Sequence, residues 1–307
     1  MNWRIKGVIQ GALSVLPGGE WVNDRLQRTL GELRDFDGHI HRKVTGDWLI
    51  LASHMRELDR SMHDLDYVEV GTGWFPVLPI CYSLVGARSV TTFDVRRHLD
   101  ANLTFQALRS LESHIPAIAE AGSRPMAEVR ADFAGLSKAS SIDQLLERAR
   151  IRYIAPGDAS ATGLASASVD VVFSNSVLEH VPAEVIERIM QESARILRPN
   201  GLAIHSVNCG DHYAYFDRSI TMINYLTYSE NAWRRWNTRL LYQNRMRPGD
   251  FLCSAERSGL EVVLERSKPR PELLAALSSL KIAPEFEQYP REQLASTSVD
   301  FAARRPC

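Results

Sequence analysis

The 307-residue sequence has little cysteine, no excess of charge of either sign and no long hydrophobic run. Its four cysteines are scattered, without a Cys-x-x-Cys pair, so we predict no metal site and expect the reduced thiols of a cytoplasmic protein. Lys and Arg number 36 against 37 Asp and Glu, which argues against a nucleic-acid-binding surface. No apolar stretch approaches about 18 residues, so no membrane-spanning helix is predicted.

Residues 1–62 have the pattern of an N-terminal helical cap. Val8, Ile9 and Leu13 recur at helical spacing, and similar periodicity continues over 21–33 and 47–62. The first helix either packs on its own domain or touches a membrane surface, and we favour the former.

Residues 63–307 alternate between short apolar runs and helical patterns. This alternation is typical of βαβ units, so we predict a doubly wound α/β domain with a mostly parallel sheet of seven strands. The turn 198–201 is expected to separate an amphipathic helix from the fifth strand. The predicted strands begin near residues 65, 89, 151, 169, 202, 260 and 298.

A segment rich in aromatic residues interrupts the sheet pattern after the fifth strand. Residues 211–242 contain eight of the 25 aromatic residues of the chain, and 211–250 contain six arginines. Such a segment is either the core of a helical subdomain or the lining of an acceptor pocket. We expect residues 209–250 to form an inserted acceptor-binding lid at the sheet edge where the fifth strand ends.

The strongest local signal is the run Val68–Trp74, in which an apolar strand ends at Gly71 and Gly73. A glycine turn between a strand and a helix lets the backbone approach a ligand closely. Asp94 ends the next predicted strand, where a carboxylate can accept hydrogen bonds from both ribose hydroxyls of an adenosine. Together these residues predict an adenosine-containing ligand.

Three features argue against a nicotinamide dinucleotide. Pro76 occupies the position of the third glycine in a dinucleotide fingerprint, and no tyrosine is followed four residues later by lysine. Glu69 would repel a pyrophosphate, whereas a carboxylate suits a ligand that carries an amino group and a sulfonium.

Four ordered motifs resemble those of the class I S-adenosylmethionine-dependent methyltransferases. They are EVGTGW at 69–74, FDV at 93–95, GDA at 157–159, and VDVVFSNSVLEHV at 169–181 followed by ILRPNGL at 196–202. More loosely, GTGWFPVLP and the aromatic insertion resemble bacterial methyltransferases of small-molecule and polysaccharide pathways.

The resemblance implies a Rossmann-like methyltransferase fold that binds S-adenosylmethionine and releases S-adenosylhomocysteine. Asp94 would bind the ribose, Asp158 the adenine amino group, and Ser174 and Asn175 the methionine half. The implied cofactor-binding residues are Glu69, Gly71, Thr72, Gly73, Asp94, Val95, Asp158, Ala159, Ser174 and Asn175.

The acceptor is predicted less directly than the cofactor. A hydroxyl acceptor needs a general base, for which His180 and His212 are the first candidates and His205 another. We expect a hydroxyl of a sugar or metabolite, with nitrogen or thioether sulfur of an amino-acid-like metabolite as the alternative and a macromolecule less favoured. The sequence does not decide whether the chain forms a homodimer. The predicted acceptor-binding residues are Tyr213, Tyr225, Trp233 and Arg245.

Overall fold

The computed structural model describes residues 2–19, 22, 25 and 32–307. The helical pattern expected over 21–33 therefore lies largely outside the described residues. Within the described ranges, no helix is long and apolar enough to cross a membrane.

The helices alternate with the strands as the sequence pattern predicts. Several begin at a capping side chain: Asp100 accepts a hydrogen bond from the backbone of Leu103, and Ser141 from that of Gln144. The α-helices are α1 Trp3–Val15, α2 Phe36–Arg42, α3 Leu49–Glu57, α4 Val77–Leu84, α5 Ala101–Leu111, α6 Ile115–Ala121, α7 Met126–Ser137, α8 Ile142–Arg148, α9 Ala183–Ile196, α10 Glu230–Trp233, α11 Pro248–Arg257, α12 Pro271–Ala276 and α13 Arg291–Ala295.

A seven-stranded sheet confirms the predicted fold class. Its order is β3-β2-β1-β4-β5-β7-β6, and β7 runs antiparallel to both of its neighbours. The order reverses between β1 and β4, so the crevice outside their carboxyl ends is the expected ligand position of a doubly wound fold. The strands are β1 Asp66–Val70, β2 Ser89–Phe93, β3 Ile151–Ile154, β4 Val169–Asn175, β5 Leu197–Asn208, β6 Glu261–Arg266 and β7 Ser298–Arg304.

The predicted turn at 198–201 lies within β5, which begins at Leu197. Asn200 there has a positive φ of 64°, and its backbone N–H donates to the carbonyl of Arg305. The pairing with β4 shifts register at this point, so the turn signal marks an irregular strand start.

Each face of the sheet carries its own hydrophobic core because side chains alternate along the strands. Tyr67 and Phe173 belong to the core under α2–α8, whereas Val68 and Val172 belong to the core under α9 and α11.

The N-terminal segment divides between two parts of the molecule. Helices α2 and α3 bury Ile40, Leu51 and Met55 in the core of the first sheet face. Helix α1 instead packs Trp3 into a third core with the insertion and with residues 271–295. The expected boundary at residue 62 therefore does not separate two hydrophobic cores.

Candidate active site

A cavity of about 800 Å³ lies where β1, β2 and β4 end. Its wall includes residues of the loop that follows each of these strands, which is the crevice that the strand order predicts. Two other segments contribute: His39 and Lys43 come from the N-terminal region, and Arg239 and Leu240 come from the insertion.

The glycine turn after β1 forms the floor of this cavity. Gly71 has a φ of +85° and Gly73 a φ of +69°, a region that residues with a β-carbon rarely adopt. A methyl group on Gly71 would meet the side chain of Val177 at 2.5 Å, whereas one on Gly73 would meet no described atom within 4 Å. Gly71 is therefore required by packing, and Gly73 keeps space open beside the backbone.

Asp94 lies at the end of β2 with its carboxylate fixed by two backbone groups. Gly73 donates its N–H to Oδ2 at 2.9 Å, and Arg96 donates its N–H to Oδ1 at 3.2 Å. Each carboxylate oxygen can accept more than one hydrogen bond, so both retain capacity for ligand hydroxyls. Asp94 lines the cavity, so it fits the ribose diol that the sequence predicts.

Val95 and Asp158 provide surfaces suited to an adenine ring. Val95 is an unusually exposed apolar residue, at 73%, and it lies in the cavity wall. Oδ1 of Asp158 accepts hydrogen bonds from the N–H and hydroxyl of Ser160, which fix the carboxylate beside Ala159. An apolar contact and an acceptor at this end suit the face and the amino group of adenine.

Glu69 lies beneath the cavity floor. The hydroxyl of Thr92 donates to Glu69 Oε2 at 2.5 Å and lies 2.5 Å from the hydroxyl of Thr72, which lines the cavity. Burial raises the pKa of Glu69 to about 8, against the opposing effects of the Thr92 hydrogen bond and the charge of Lys43. A cation bound above the floor would favour the ionised carboxylate.

The two residues expected at the end of β4 have different environments. Asn175 lines the cavity, but Ser174 is fully buried and its hydroxyl lies 2.7 Å from Nδ1 of His205. Burial lowers the pKa of His205 to about 3, so this histidine is a neutral core residue and not an available base. Ser176 and Val177 reach the cavity wall where Ser174 was expected.

His180 lines the cavity, and its ring is held by the insertion. Its Nδ1 lies 2.8 Å from the backbone carbonyl of Tyr242, which can only accept, so Nδ1 carries the proton and Nε2 has the lone pair. Burial lowers the pKa of His180, which favours the neutral ring. The ring of His212 lies 5.0 Å from that of His180, centroid to centroid.

None of the four residues expected to bind the acceptor lines the cavity: three belong to the third core, and Arg245 packs against its rings. Tyr213, Tyr225 and Trp233 are almost completely buried around Trp3, which contacts Tyr213 and Trp233 directly. Arg245 pairs with Glu230 at 2.8 Å and donates to the carbonyls of Tyr225 and Tyr228. These contacts stabilise the insertion, and the assignment of the four residues to the acceptor stays a prediction.

Lys43 is a cationic residue of the cavity wall that no sequence motif indicates. Lys43 opens a π-helical turn, Lys43–Trp48, between α2 and α3, and it pairs with Asp47 at 2.9 Å. Its charge lowers the pKa of both Glu69 and Glu179, so the ammonium lies within electrostatic reach of the two carboxyls. In the sequence, Lys43 belongs to none of the recognised motifs, so nothing there indicates that it lies in the cavity wall.

Comparison with known proteins gives one family match. Residues 122–205 match the family model of a methyltransferase domain, a range that runs from the α6–α7 turn into β5. No curated protein matches the chain in sequence.

Many solved structures resemble the chain at low identity. An S-adenosylmethionine-dependent methyltransferase from Mesorhizobium loti is 14% identical, covers 82% of this chain and 96% of its own, and has a TM-score of 0.43. A provisional sarcosine dimethylglycine methyltransferase from Galdieria sulphuraria is 16% identical over 83% of this chain and 84% of its own, with a TM-score of 0.46. Geranyl diphosphate C-methyltransferase from Streptomyces coelicolor A3(2) is 14% identical over 83% and 79%, with a TM-score of 0.44.

The strand order, the residues at the strand ends and the matched domain are three separate observations on this chain. The antiparallel β7 between β5 and β6, the Gly71–Gly73 turn beside Asp94 and the match over 122–205 agree with one another. The chain therefore contains a methyltransferase domain, and its sheet has the strand order of the Rossmann-like methyltransferase fold.

Proposed function

We propose that the protein transfers the methyl group of S-adenosylmethionine to a hydroxyl of a small molecule, a sugar or a related metabolite, in the cytoplasm. The observation that carries the proposal is the position of His180, which lines the same cavity as Asp94 and Gly73 with its Nε2 able to accept a proton. Nitrogen or thioether sulfur of an amino-acid-like metabolite is the alternative acceptor.

The cofactor residues support a defined orientation. Asp94 suits the ribose, and Val95 with Asp158 suits the adenine, so the methionine half would extend over Gly71 toward Asn175. The sulfonium supplies an activated methyl group, and the protein chiefly has to align the acceptor with it and exclude water. His180 follows β4, on the side where this orientation would present the methyl group.

Two segments support the exclusion of water. Residues 36–48 and 239–244 contribute to the cavity from outside the sheet, and we propose that they act as a cap and a lid.

In the transfer, the acceptor oxygen bonds to the methyl carbon while the carbon–sulfur bond breaks and its electron pair stays on sulfur. The acceptor proton goes to Nε2 of His180 when that nitrogen is free.

A methylation assay across chemically different acceptors tests this proposal. The purified chain with labelled S-adenosylmethionine should methylate a hydroxyl compound, and His180→Ala should lower kcat by about 10²–10⁴-fold because the proton acceptor is lost. His63→Ala removes an exposed histidine and should leave kcat unchanged. Turnover confined to amines or thioethers and insensitive to His180→Ala would favour the alternative acceptors.

A further inference from the structure

Three metal-binding side chains converge beside the cofactor cavity. Glu179, His180 and His212 each offer one ligand atom, and these three atoms lie within 4.8 Å of one another. Glu179 and His180 belong to the 3-10 turn Leu178–His180 that follows β4, and His212 opens the insertion that follows β5. Because β4 and β5 are parallel neighbours, their carboxyl ends bring these residues together.

The buried carboxylate of Glu179 is incompletely hydrogen-bonded. Its side chain is buried at 1% exposure, and Oε2 has no hydrogen-bond partner among the described residues. Buried polar atoms are nearly always paired, because an unpaired one loses its hydration without compensation. A cation at this point would supply the missing partner.

His180 already has the arrangement of a metal ligand. Its Nδ1–H donates to the backbone carbonyl of Tyr242 at 2.8 Å, which fixes the tautomer and leaves the lone pair on Nε2. Metal-bound histidines commonly donate their second ring nitrogen in this way, and the bond also fixes the plane of the ring.

The irregular segment 242–244 of the insertion contacts all three residues. Next to Tyr242, Gln243 accepts the backbone N–H of His212 through Oε1 at 3.2 Å. Asn244 donates its own N–H to the carbonyl of Glu179 at 2.7 Å. Three consecutive residues therefore form hydrogen bonds with the two histidines and the glutamate. These hydrogen bonds fix the positions of the three residues relative to one another.

We propose that Glu179, His180 and His212 bind one divalent transition-metal ion of the zinc type. Two imidazoles and one carboxylate form a donor set that suits such ions better than magnesium or calcium. With bonds of about 2.0–2.1 Å the ligand atoms would lie about 3.3 Å apart, so the side chains must close inward by rotation.

The remaining coordination position faces the cofactor cavity, because His180 is part of the cavity wall. It would take an oxygen or nitrogen atom of the acceptor, and a bound hydroxyl would lose its proton to water more readily. Nε2 of His180 then binds the ion instead of the proton. This assignment of the open position rests on the proposed methyl transfer, whereas binding of the ion does not.

Calorimetric titration with zinc chloride tests the site directly. The full-length chain, freed of metal by a chelator, should bind one equivalent of Zn²⁺. His212→Ala and Glu179→Gln should each weaken binding by at least about tenfold, since each loses one ligand. His63→Ala is the matched control and should leave Zn²⁺ affinity unchanged.

The same samples are titrated with S-adenosylhomocysteine, which separates the two proposals. Binding of this ligand by His212→Ala with weakened Zn²⁺ binding supports the metal site in a folded protein. Equal Zn²⁺ affinity of the wild type and the His180→Ala/His212→Ala variant, or no Zn²⁺ binding by the wild type, overturns the metal site and leaves the methyltransferase proposal intact. Zn²⁺ binding without any binding of S-adenosylhomocysteine contradicts the proposed function instead.

Discussion

Two glycines of the turn after β1 share a left-handed backbone but serve different purposes. Gly71 is held against Val177, so even one methyl group there would collide with a neighbouring side chain. Gly73 has open space where its β-carbon would be, and its N–H fixes the carboxylate of Asp94. The first glycine is needed by the fold, and we expect the second to be needed by the ligand.

This difference gives a matched pair of variants. Gly163 has the same φ of +69° as Gly73 and the same open surroundings, but it is an exposed residue outside the cavity wall. Gly73→Ala and Gly163→Ala should both lose about 1–2 kcal/mol of stability, because alanine is strained in this conformation. Only Gly73→Ala should weaken S-adenosylhomocysteine binding by about tenfold, or about 1.4 kcal/mol, as measured by calorimetry. Equal affinities of the two variants would show that Gly73 does not face the ligand.

For single residues, the sequence predicts which residues lie at the strand ends. It does not predict the direction in which each of their side chains points. Gly71, Asp94 and Asn175 line the cavity as the motifs suggest. Ser174 is adjacent in sequence to Asn175, yet it points into the core toward His205 because alternate residues of a strand face opposite sides. A motif match does not show which of two adjacent strand residues points into the cavity and which points into the core.

Among the helices, the π-helical turn between α2 and α3 has the clearest functional consequence. The extra residue in each of its turns shifts the side chains that follow, and π-helical turns are frequent at functional sites. Val44 and Trp48 of this turn are buried against the sheet layer, while Lys43 lies in the cavity wall. Amphipathic periodicity predicts a helix here, but it does not predict where the helix widens.

We expect Lys43 to bind the carboxylate of the methionine half of the cofactor. Lys43→Met should weaken binding of S-adenosylhomocysteine by about 1.5–3 kcal/mol, the range of a hydrogen bond to a charged group. Binding of 5′-methylthioadenosine, which has no carboxylate, should be unchanged by the same substitution. The control is Lys138→Met at the exposed end of α7, which should alter neither affinity.

The comparison of the two ligands makes the result specific. A parallel loss for both ligands in Lys43→Met would place Lys43 at the adenosine half or assign it a structural role. Unchanged affinity for both ligands in Lys43→Met would show that Lys43 does not contact the cofactor.

On the scale of the whole molecule, three parts of the chain that are distant in sequence build one aromatic core. Trp3 of α1, Tyr225 of the insertion and Phe286 between β6 and β7 all belong to it. The buried guanidinium of Arg247 joins this core to the sheet by donating to the carbonyls of Cys209 and Ser296 and to the hydroxyl of Tyr225. Arg247 therefore anchors the insertion to the chain beside the end of β5 and the start of β7.

Tyr225→Phe tests this structural role against the acceptor contact that the sequence suggested. Arg247 and the carbonyl of Cys209 would each lose a buried partner, so the free energy of unfolding in urea should fall by about 1–3 kcal/mol. The affinity for S-adenosylhomocysteine and the KM for the acceptor should stay unchanged.

Tyr215→Phe provides the control, since its hydroxyl accepts a hydrogen bond from Asn208 at an exposed position. It should change stability by less than about 0.5 kcal/mol. A raised KM for the acceptor in Tyr225→Phe with unchanged stability would instead restore Tyr225 to the acceptor site.

The composition of the aromatic insertion does not distinguish a pocket lining from the core of a subdomain. Its composition is the same whether the rings face a ligand or one another, and the partners that bury them come from residues 3 and 271–295. Alternation of strands and helices is a local signal and predicted the sheet well. Packing between distant segments leaves no local signal, so the third core and the inward positions of Trp233 and Arg245 could not be foreseen.

The crystal structure of the chain with S-adenosylhomocysteine tests the central claim most directly. The account predicts ligand density in the cavity at the ends of β1, β2 and β4, with the ribose hydroxyls within hydrogen-bond distance of Asp94 and the adenine against Val95. The sulfur should face His180, and the carboxylate should face Lys43. Density for the ligand at another place, or in this cavity with the ribose away from Asp94, would contradict the account.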